Sequence, residues 1–405
     1  MSEKLTMNKS KSDSKANLKI NFSILMFFFW SSWAVYGAYV VYYFTDIGLT
    51  NMEIGTIMSL RTFMGIIGPP VVAYLCDKFK TRKNIFIISL IILGVMVMPF
   101  PLYNKILIII FSALIEFFWS PQQSILDSWI LETSTELSEN YGFMRAWGSI
   151  GFAIFVSFSG NIIEKWGWNV HFISYGIFIL IAVLVASFIK DESYSNISFH
   201  QDNDRDTRHP INLLKNKKYV LLLTITIFIF IPIQIIFIYL APIIRSVGGT
   251  ARHLGYTLFF NALSEAPIFF VGKFILNKFK IKTLLLISAT FYLIRIIIAA
   301  SVTNPIFFIF FGIFQSLSFG IYLISVRNYV NKIAPETLKT TAQSIVLMVA
   351  FGLGGIISSL LGGYLIDTFG MNIMFTFCII MSSFAIILLL IFSFLDKFKI
   401  FKNQY

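Results

Sequence analysis

Residues 54–83 read IGTIMSLRTFMGIIGPPVVAYLCDKFKTRK, and 200 positions later residues 254–282 read LGYTLFFNALSEAPIFFVGKFILNKFKIK. Each is an apolar run of about 20 residues, the helix length that crosses a bilayer core about 30 Å thick. Each is closed by a short basic cluster. Gly55 falls on Gly255, and Asp77-Lys78-Phe79-Lys80 falls on Asn277-Lys278-Phe279-Lys280. The pairing predicts a membrane chain built twice from the same plan.

Further apolar runs complete that plan. The first six spans lie near 20–44, 54–75, 84–103, 106–131, 143–163 and 169–189. The second six lie near 219–243, 254–276, 283–302, 305–326, 340–365 and 371–395. Gly160, Glu164 and Gly167 recur as Gly363, Asp367 and Gly370. The expectation is an all-α membrane protein of twelve transmembrane helices in two pseudo-symmetric six-helix bundles. The domains follow as a cytoplasmic tail 1–19, a bundle 20–189, a cytoplasmic linker 190–218, a bundle 219–395 and a cytoplasmic tail 396–405.

Composition agrees. Charged residues are 13% of the 405, against roughly 25% in soluble domains, and mean hydropathy is +0.78. Such a chain has too little polar surface for water, and its 45 phenylalanines suit lipid-facing helix surfaces. The net charge of +12 could suggest nucleic acid, but the basic residues sit in clusters between apolar runs. That pattern excludes a nucleic-acid partner and makes the lipid bilayer the partner instead. Lysines before span one, Lys78, Lys80, Arg82 and Lys83 after span two, and Lys278, Lys280 and Lys282 after span eight all fall on one side. By the positive-inside rule both termini face the cytoplasm in a bacterial inner membrane. The first apolar run is too long for a signal-peptide core, so it reads as a retained helix. Cys76 and Cys378 suggest no disulfide, metal site or redox role, and no cofactor motif is found.

Ionisable side chains inside spans are costly, about 2.5–3.5 kcal/mol or more, and so face a partner or a cavity. This chain has Arg61 in span two, Glu116 and Asp127 in span four, Arg145 in span five, Glu265 in span eight and Arg295 in span nine. Three acids and three bases favour pairing across helices. Asp127 and Arg145 lie toward the cytoplasmic ends of consecutive spans, and either bridge each other or jointly hold a solute. Glu265 sits in Ser264-Glu265-Ala266-Pro267, where proline loosens the helix. A carboxylate at this depth either takes up and releases a proton or bonds Arg295 across helices. Trp30, Trp33, Tyr36 and Tyr39 share a helical stripe that suits a sugar ring, a nucleobase or plain packing. Gln122, Gln123, Asn261 and Gln315 offer hydrogen bonds to hydroxyls or between helices. Glycines crowd spans two, five and eleven, which permits sliding or static close packing.

Asp77-Lys78 with Arg82-Lys83 resembles the loop signature of the major facilitator superfamily, where it acts as a conformational gate. Asp127 followed by Tyr141-Gly142-Phe143-Met144-Arg145-Ala146-Trp147-Gly148-Ser149-Ile150-Gly151-Phe152 is similar to the lactose permease branch, which includes oligosaccharide and nucleoside symporters and phenylpropionate transporters. The resemblance implies solute binding at Asp127 and Arg145, with Phe152 where the permease stacks a Trp on the sugar. It implies proton coupling at Arg295. The permease's His and Glu of span ten fall at Ser318 and Ile321, its span-eleven Lys near Gly352, and its span-eight Glu near Ala262, so much of that relay is absent. The Ser-Glu-Ala-Pro segment is more like the phenylpropionate group.

The expected function is therefore secondary active transport, a proton-coupled symport of a small hydrophilic solute by alternating access. The solute is a sugar, oligosaccharide or nucleoside. Aromatic-acid uptake, sugar or drug efflux and a non-transporting sensor are the alternatives. Substrate binding is assigned to Asp127, Arg145, Phe152, Tyr36, Gln123 and Asn261, and proton coupling to Glu265 and Arg295. Arg61, Glu116 and Gln315 are further candidates. No enzyme constellation is seen, no nucleotide-binding motif supplies ATP-driven work, and the protein is expected to act as a monomer.

Overall fold

A bilayer core offers no water to satisfy backbone groups, so a spanning chain must satisfy them within itself. The computed structural model describes residues 2–190 and 210–397, and among these the chain is helical with no strand. The helices are α1 (Ser2–Asp46), α2 (Asn51–Phe79), α3 (Lys83–Val97) and α4 (Lys105–Thr133). The run Tyr141–Phe188 turns at Gly167, where φ is +77°, into α5 (141–166) and α6 (168–188). The second half has α7 (Lys217–Ile238), α8 (Ala251–Lys278), α9 (Ile281–Ser301), α10 (Phe307–Ile333), α11 (Glu336–Phe369) and α12 (Met371–Lys397). Twelve long helical runs among the described residues, with short helices at Phe100–Leu102, Thr135–Glu139, Pro210–Lys215 and Leu240–Ser246 between them, give the all-α, six-plus-six fold.

The helices overrun the apolar runs at their ends. Helix α1 takes in residues 2–19, expected as a tail, since no glycine or proline interrupts that stretch. Of the expected linker 190–218, residues 191–209 lie outside the described residues, as do 398–405 of the C-terminal tail. Where the chain resumes, the Asn216 side chain accepts from the backbone amides of Lys218 and Tyr219 and caps α7.

The repeat is written into the corners. Gly48 and Gly248 take φ of +79° and +77°, and Gly167 and Gly370 take +77° and +84°. This left-handed region carries a steric penalty for any residue with a Cβ. Two residues after the first pair, the helix starts match as well. Thr50 and Glu53 cap α2 reciprocally, with 2.9 Å and 3.1 Å bonds. Thr250 and His253 form the equivalent box on α8. A capping box satisfies two otherwise orphaned helix-end amides.

Contacts divide the chain into two compact units, Met1–Val40 with Phe63–His200, and Val41–Thr62 with Gln201–Tyr405. In the first, α1 is held by aromatic stacking and by backbone carbonyls. Trp119 stacks between Phe29 and Trp33 with centroids at 4.7 Å and 4.5 Å. The Tyr39 hydroxyl donates to the Val156 carbonyl at 2.7 Å, and His171 Nε2 meets the Val35 carbonyl at 2.9 Å. Gly151 lets α5 touch α1, since a Cβ there would collide with the Phe27 carbonyl.

In the second unit α12 packs on α7 and α9, α9 on α10, α10 on α8, and α7 on α11. The corner 41–62 belongs here because Gly55 and Gly363 allow α2 and α11 to meet backbone to backbone. The Asp367 carboxylate accepts from the Asn51 and Met52 amides at 3.2 Å and 2.7 Å and from Asn51 Nδ2 at 2.8 Å. It thereby caps α2 from the end of α11. Arg245 pairs with Asp46 at 3.0 Å in the same corner.

Helix α10 is irregular where the site lies. A tight 3₁₀ turn, Gly312–Phe314, is followed by a widened π turn, Ser316–Gly320, and α11 widens likewise at Met348–Leu353. Such turns free backbone carbonyls and recur at functional sites. Cys76 and Cys378 are both buried and form no disulfide, and their chain positions place one in each unit.

Candidate solute and coupling sites

Two polar clusters are built at depth, one in each unit. The second unit encloses a cavity of about 250 Å³ between α7, α8, α9, α10 and α11. Its wall is largely aromatic, with Phe230, Phe237, Phe311, Phe319 and Phe351, and it carries Gln234, Asn261, Glu265, Tyr292, Arg295 and Gln315. Arg295 is only 3% exposed, so its charge must be met from within. Its Nη1 donates to Gln315 Oε1 and, at 3.1 Å, to Ser318 Oγ, while Nη2 reaches Asn261 Oδ1 at 3.5 Å. The guanidinium carbon lies 4.2 Å from the Phe311 ring centroid, a favourable cation–π position. Gln315 Nε2 in turn donates to Glu265 Oε1 at 2.7 Å.

The acid and the arginine of this half thus meet through an amide. The direct inter-helix bond that was one reading of Glu265 is replaced by a three-residue chain, Arg295 to Gln315 to Glu265. Serine hydroxyls hold α10 in the shape that places Gln315. Ser264 donates to the Gly312 carbonyl at 2.9 Å, Ser288 to the Ser318 carbonyl at 2.6 Å, and Ser318 to the Phe314 carbonyl at 2.9 Å.

The first unit repeats the theme more openly. Asp127 on α4 interacts with the Tyr141 hydroxyl and Gln123, with Arg145 within electrostatic reach. Tyr141 also touches Arg145. The Arg145 guanidinium carbon lies 4.3 Å from the Trp30 ring centroid. Gly148, one turn further along α5, leaves room for that indole, since a Cβ there would stand 2.5 Å from Trp30 Cδ1. Asp127 Oδ1 and Trp30 Nε1 are both buried and have no hydrogen-bond partner in the protein. One is an acceptor and the other a donor, the pair of contacts a hydroxyl group can make.

The remaining expected residues fall as follows. Phe152 is half-buried on α5, and Gln123 is exposed on α4. Tyr36 is 1% exposed and is enclosed by Phe100 and Tyr175, with centroids at 5.6 Å and 6.1 Å. It packs the first unit rather than lining an open face. Arg61 is buried, with Met58 Sδ 3.8 Å from its Nη1. Glu116 sits against Gly65 across α2 and α4. In the loop after α2, Asp77 and Lys78 are exposed, while Arg82 forms a two-bond pair with Glu132 at 2.5 Å and 2.6 Å. Lys83 donates to the carbonyls of Ser187 and Ile189 at 2.8 Å and 2.6 Å, tying that loop to the end of α6.

Sequence reasoning missed Tyr141, Glu132 and Gln234 as partners. Tyr141 stands in the quoted motif and its spacing of one turn from Arg145 was the available signal. Gln234 lines the cavity on α7 and gave no signal beyond being polar in an apolar run.

These features are matched by comparison with known proteins. The profile of the MFS_1 like family matches residues 19–377, and the chain belongs to that family of major facilitator transporters. It is a multi-pass membrane transporter and not an enzyme. Maltose permease of Geobacillus stearothermophilus is 26% identical over 372 residues, 91% of this chain and 92% of that protein. Sucrose permease of Escherichia coli is 25% identical over 371 residues, 88% of each chain. The crystal structure of the nucleoside transporter NupG aligns with a TM-score of 0.80 at 18% identity, covering 95% of this chain and all of that one, which shows a shared fold.

Proposed function

We propose that this protein takes up a hydroxyl-rich solute, a disaccharide or related sugar, together with a proton, by alternating access across the bacterial inner membrane. It works as a monomer with both termini in the cytoplasm. The observation that carries the reading is Glu265 in the wall of a cavity otherwise lined by aromatic rings, aliphatic side chains, amides and Arg295. Aromatic faces accept the apolar faces of sugar rings, and amides bond their hydroxyls. Glu265 supplies the one acid in that wall able to bind and release a proton. The buried acceptor on Asp127 and donor on Trp30 supply a matching site in the first unit, beside Arg145. Similarity to permeases named for maltose and sucrose supports a sugar over other solutes.

The test is counterflow in proteoliposomes against disaccharides, nucleosides and aromatic acids. Exchange of a disaccharide alone supports the assignment, and exchange confined to nucleosides or aromatic acids overturns it. Glu265→Gln removes the proton-carrying group and keeps the shape. Its expected behaviour is loss of uphill accumulation with exchange still measurable. Accumulation at the unmodified level would remove Glu265 from the coupling role.

A further inference from the structure

We infer that Gln315 is the positioning residue that fixes the direction of hydrogen bonding in the coupling chain, so that a proton arriving on Glu265 creates a donor aimed into the cavity. The inference rests on the reading of Glu265 as the group that carries the proton.

The argument is one of hydrogen-bond polarity. A guanidinium has donors and no acceptor. Arg295 therefore dictates that the Gln315 carbonyl oxygen faces it, and the amide nitrogen must face Glu265. The reverse orientation would set two N–H groups against each other. The neighbouring guanidinium, having only donors, fixes which way the amide points. Glu265 thus receives a donor at Oε1, which suits an ionised carboxylate, and that bond is strengthened by the guanidinium behind the amide.

Protonation changes the balance by one donor. The new O–H of Glu265 finds a donor at Gln315 and further donors at Arg295, none of which can accept it. Tyr292 on α9 also has an electrostatic interaction with Glu265. The side chains that α7 and α11 bring to the cavity wall are uncharged. The free direction for the O–H is the cavity, where a ring or glycosidic oxygen of the solute, which has no proton to donate, accepts it. The arrangement couples proton and solute without a direct acid–arginine pair, since an ionised Glu265 presents only acceptors to the same solute oxygen.

The irregular turn of α10 is part of the device. Gln315 lies between the 3₁₀ and π turns, and three serine hydroxyls hold the freed carbonyls. This sets the side chain at the height of both partners on α8 and α9.

The experiment compares Gln315→Met, which keeps the length and removes both bonds, with Glu265→Gln and the unmodified protein. Equilibrium binding of the solute identified by counterflow is measured against pH, alongside the ratio of uphill accumulation to exchange. Gln315→Met is expected to bind solute up to a pH about one unit higher, because the ionised carboxylate has lost its charge-assisted donor. Its accumulation-to-exchange ratio is expected to fall about 10-fold, the factor that one pH unit represents. Gln315→Glu retains an acceptor for Arg295 while removing the donor. It is expected to move the binding profile in the same direction, and it decides the matter if the methionine variant does not reach the membrane. An unmoved profile in either folded variant, with Glu265→Gln uncoupled, overturns the role of Gln315 alone. Full coupling in Glu265→Gln overturns the underlying reading of Glu265 as well.

Discussion

The two units solve the same problem with different degrees of closure. Each places an arginine over an aromatic ring and links it to an acid through a neutral side chain. In the first unit the order is Arg145 on Trp30, Tyr141, then Asp127. In the second it is Arg295 on Phe311, Gln315, then Glu265. Arg295 is buried and leaves only its Nε unbonded, whereas Arg145 is half-buried and its cluster leaves both a buried acceptor and a buried donor unbonded. A closed chain suits the handling of a proton, which needs no room. An open one suits a solute, which brings its own hydroxyls.

The largest test of that contrast removes each arginine in turn. Arg295→Ala strands Glu265 and Gln315 in a buried site, and breaking a buried charge network costs about 3–5 kcal/mol. The expected outcome is a marked fall in Tm together with loss of uptake. Arg145→Ala is expected to abolish solute binding with a stability change below about 1 kcal/mol, as befits a partly exposed group. Thermal unfolding in detergent checks the pair, and equal falls in Tm would erase the distinction between them.

A smaller effect is expected at Asp127. Asp127→Asn retains the shape and loses the charge, weakening a charge-assisted bond to the solute by about 1.5–3 kcal/mol, or about 10-fold to 100-fold in affinity. Binding measured across pH should weaken by a similar factor throughout. A variant that instead uncouples transport would move proton handling into the first unit.

The smallest effect belongs to Asp367, which serves neither cluster. Asp367→Asn weakens a helix cap worth about 0.3–1 kcal/mol. Faster hydrogen exchange at the Asn51 and Met52 amides is the expected readout, with a change of at most a few-fold in apparent affinity. A collapse of solute binding would mean that the cap supports the first cluster directly.

The fold was legible because a bilayer punishes error. A polar backbone group or a charge at depth is so costly that apolar runs and basic clusters follow from it directly. The acids and arginines stood out for the same reason, and six of them were named from their expense alone. Their connections were not legible. Gln315 and Tyr141 are neutral and inexpensive to bury, and Gln315 meets partners 20 and 50 residues away in the chain. The aromatic stripe of α1 did not foretell that Tyr36 is buried, because α1 is apolar on several faces. Helical spacing groups residues on one side without saying which side turns inward. The corners gave only a partial signal. Gly55 and Gly255 marked the repeat, while the capping boxes that open five residues earlier set Glu53 against His253 and look unrelated until both are seen to bond the same backbone position.

Those corners also decide how little loop the chain offers at these helix ends. Residues 47–50, with the single turns at Gly167 and Gly370, are all the chain that separates three pairs of neighbouring helices. A protease needs an extended segment and an antibody needs a loop, and these reversals provide almost none. Surface probes and inserted tags would have to enter through longer connections, such as residues 98–104, leaving these three corners nearly silent to both.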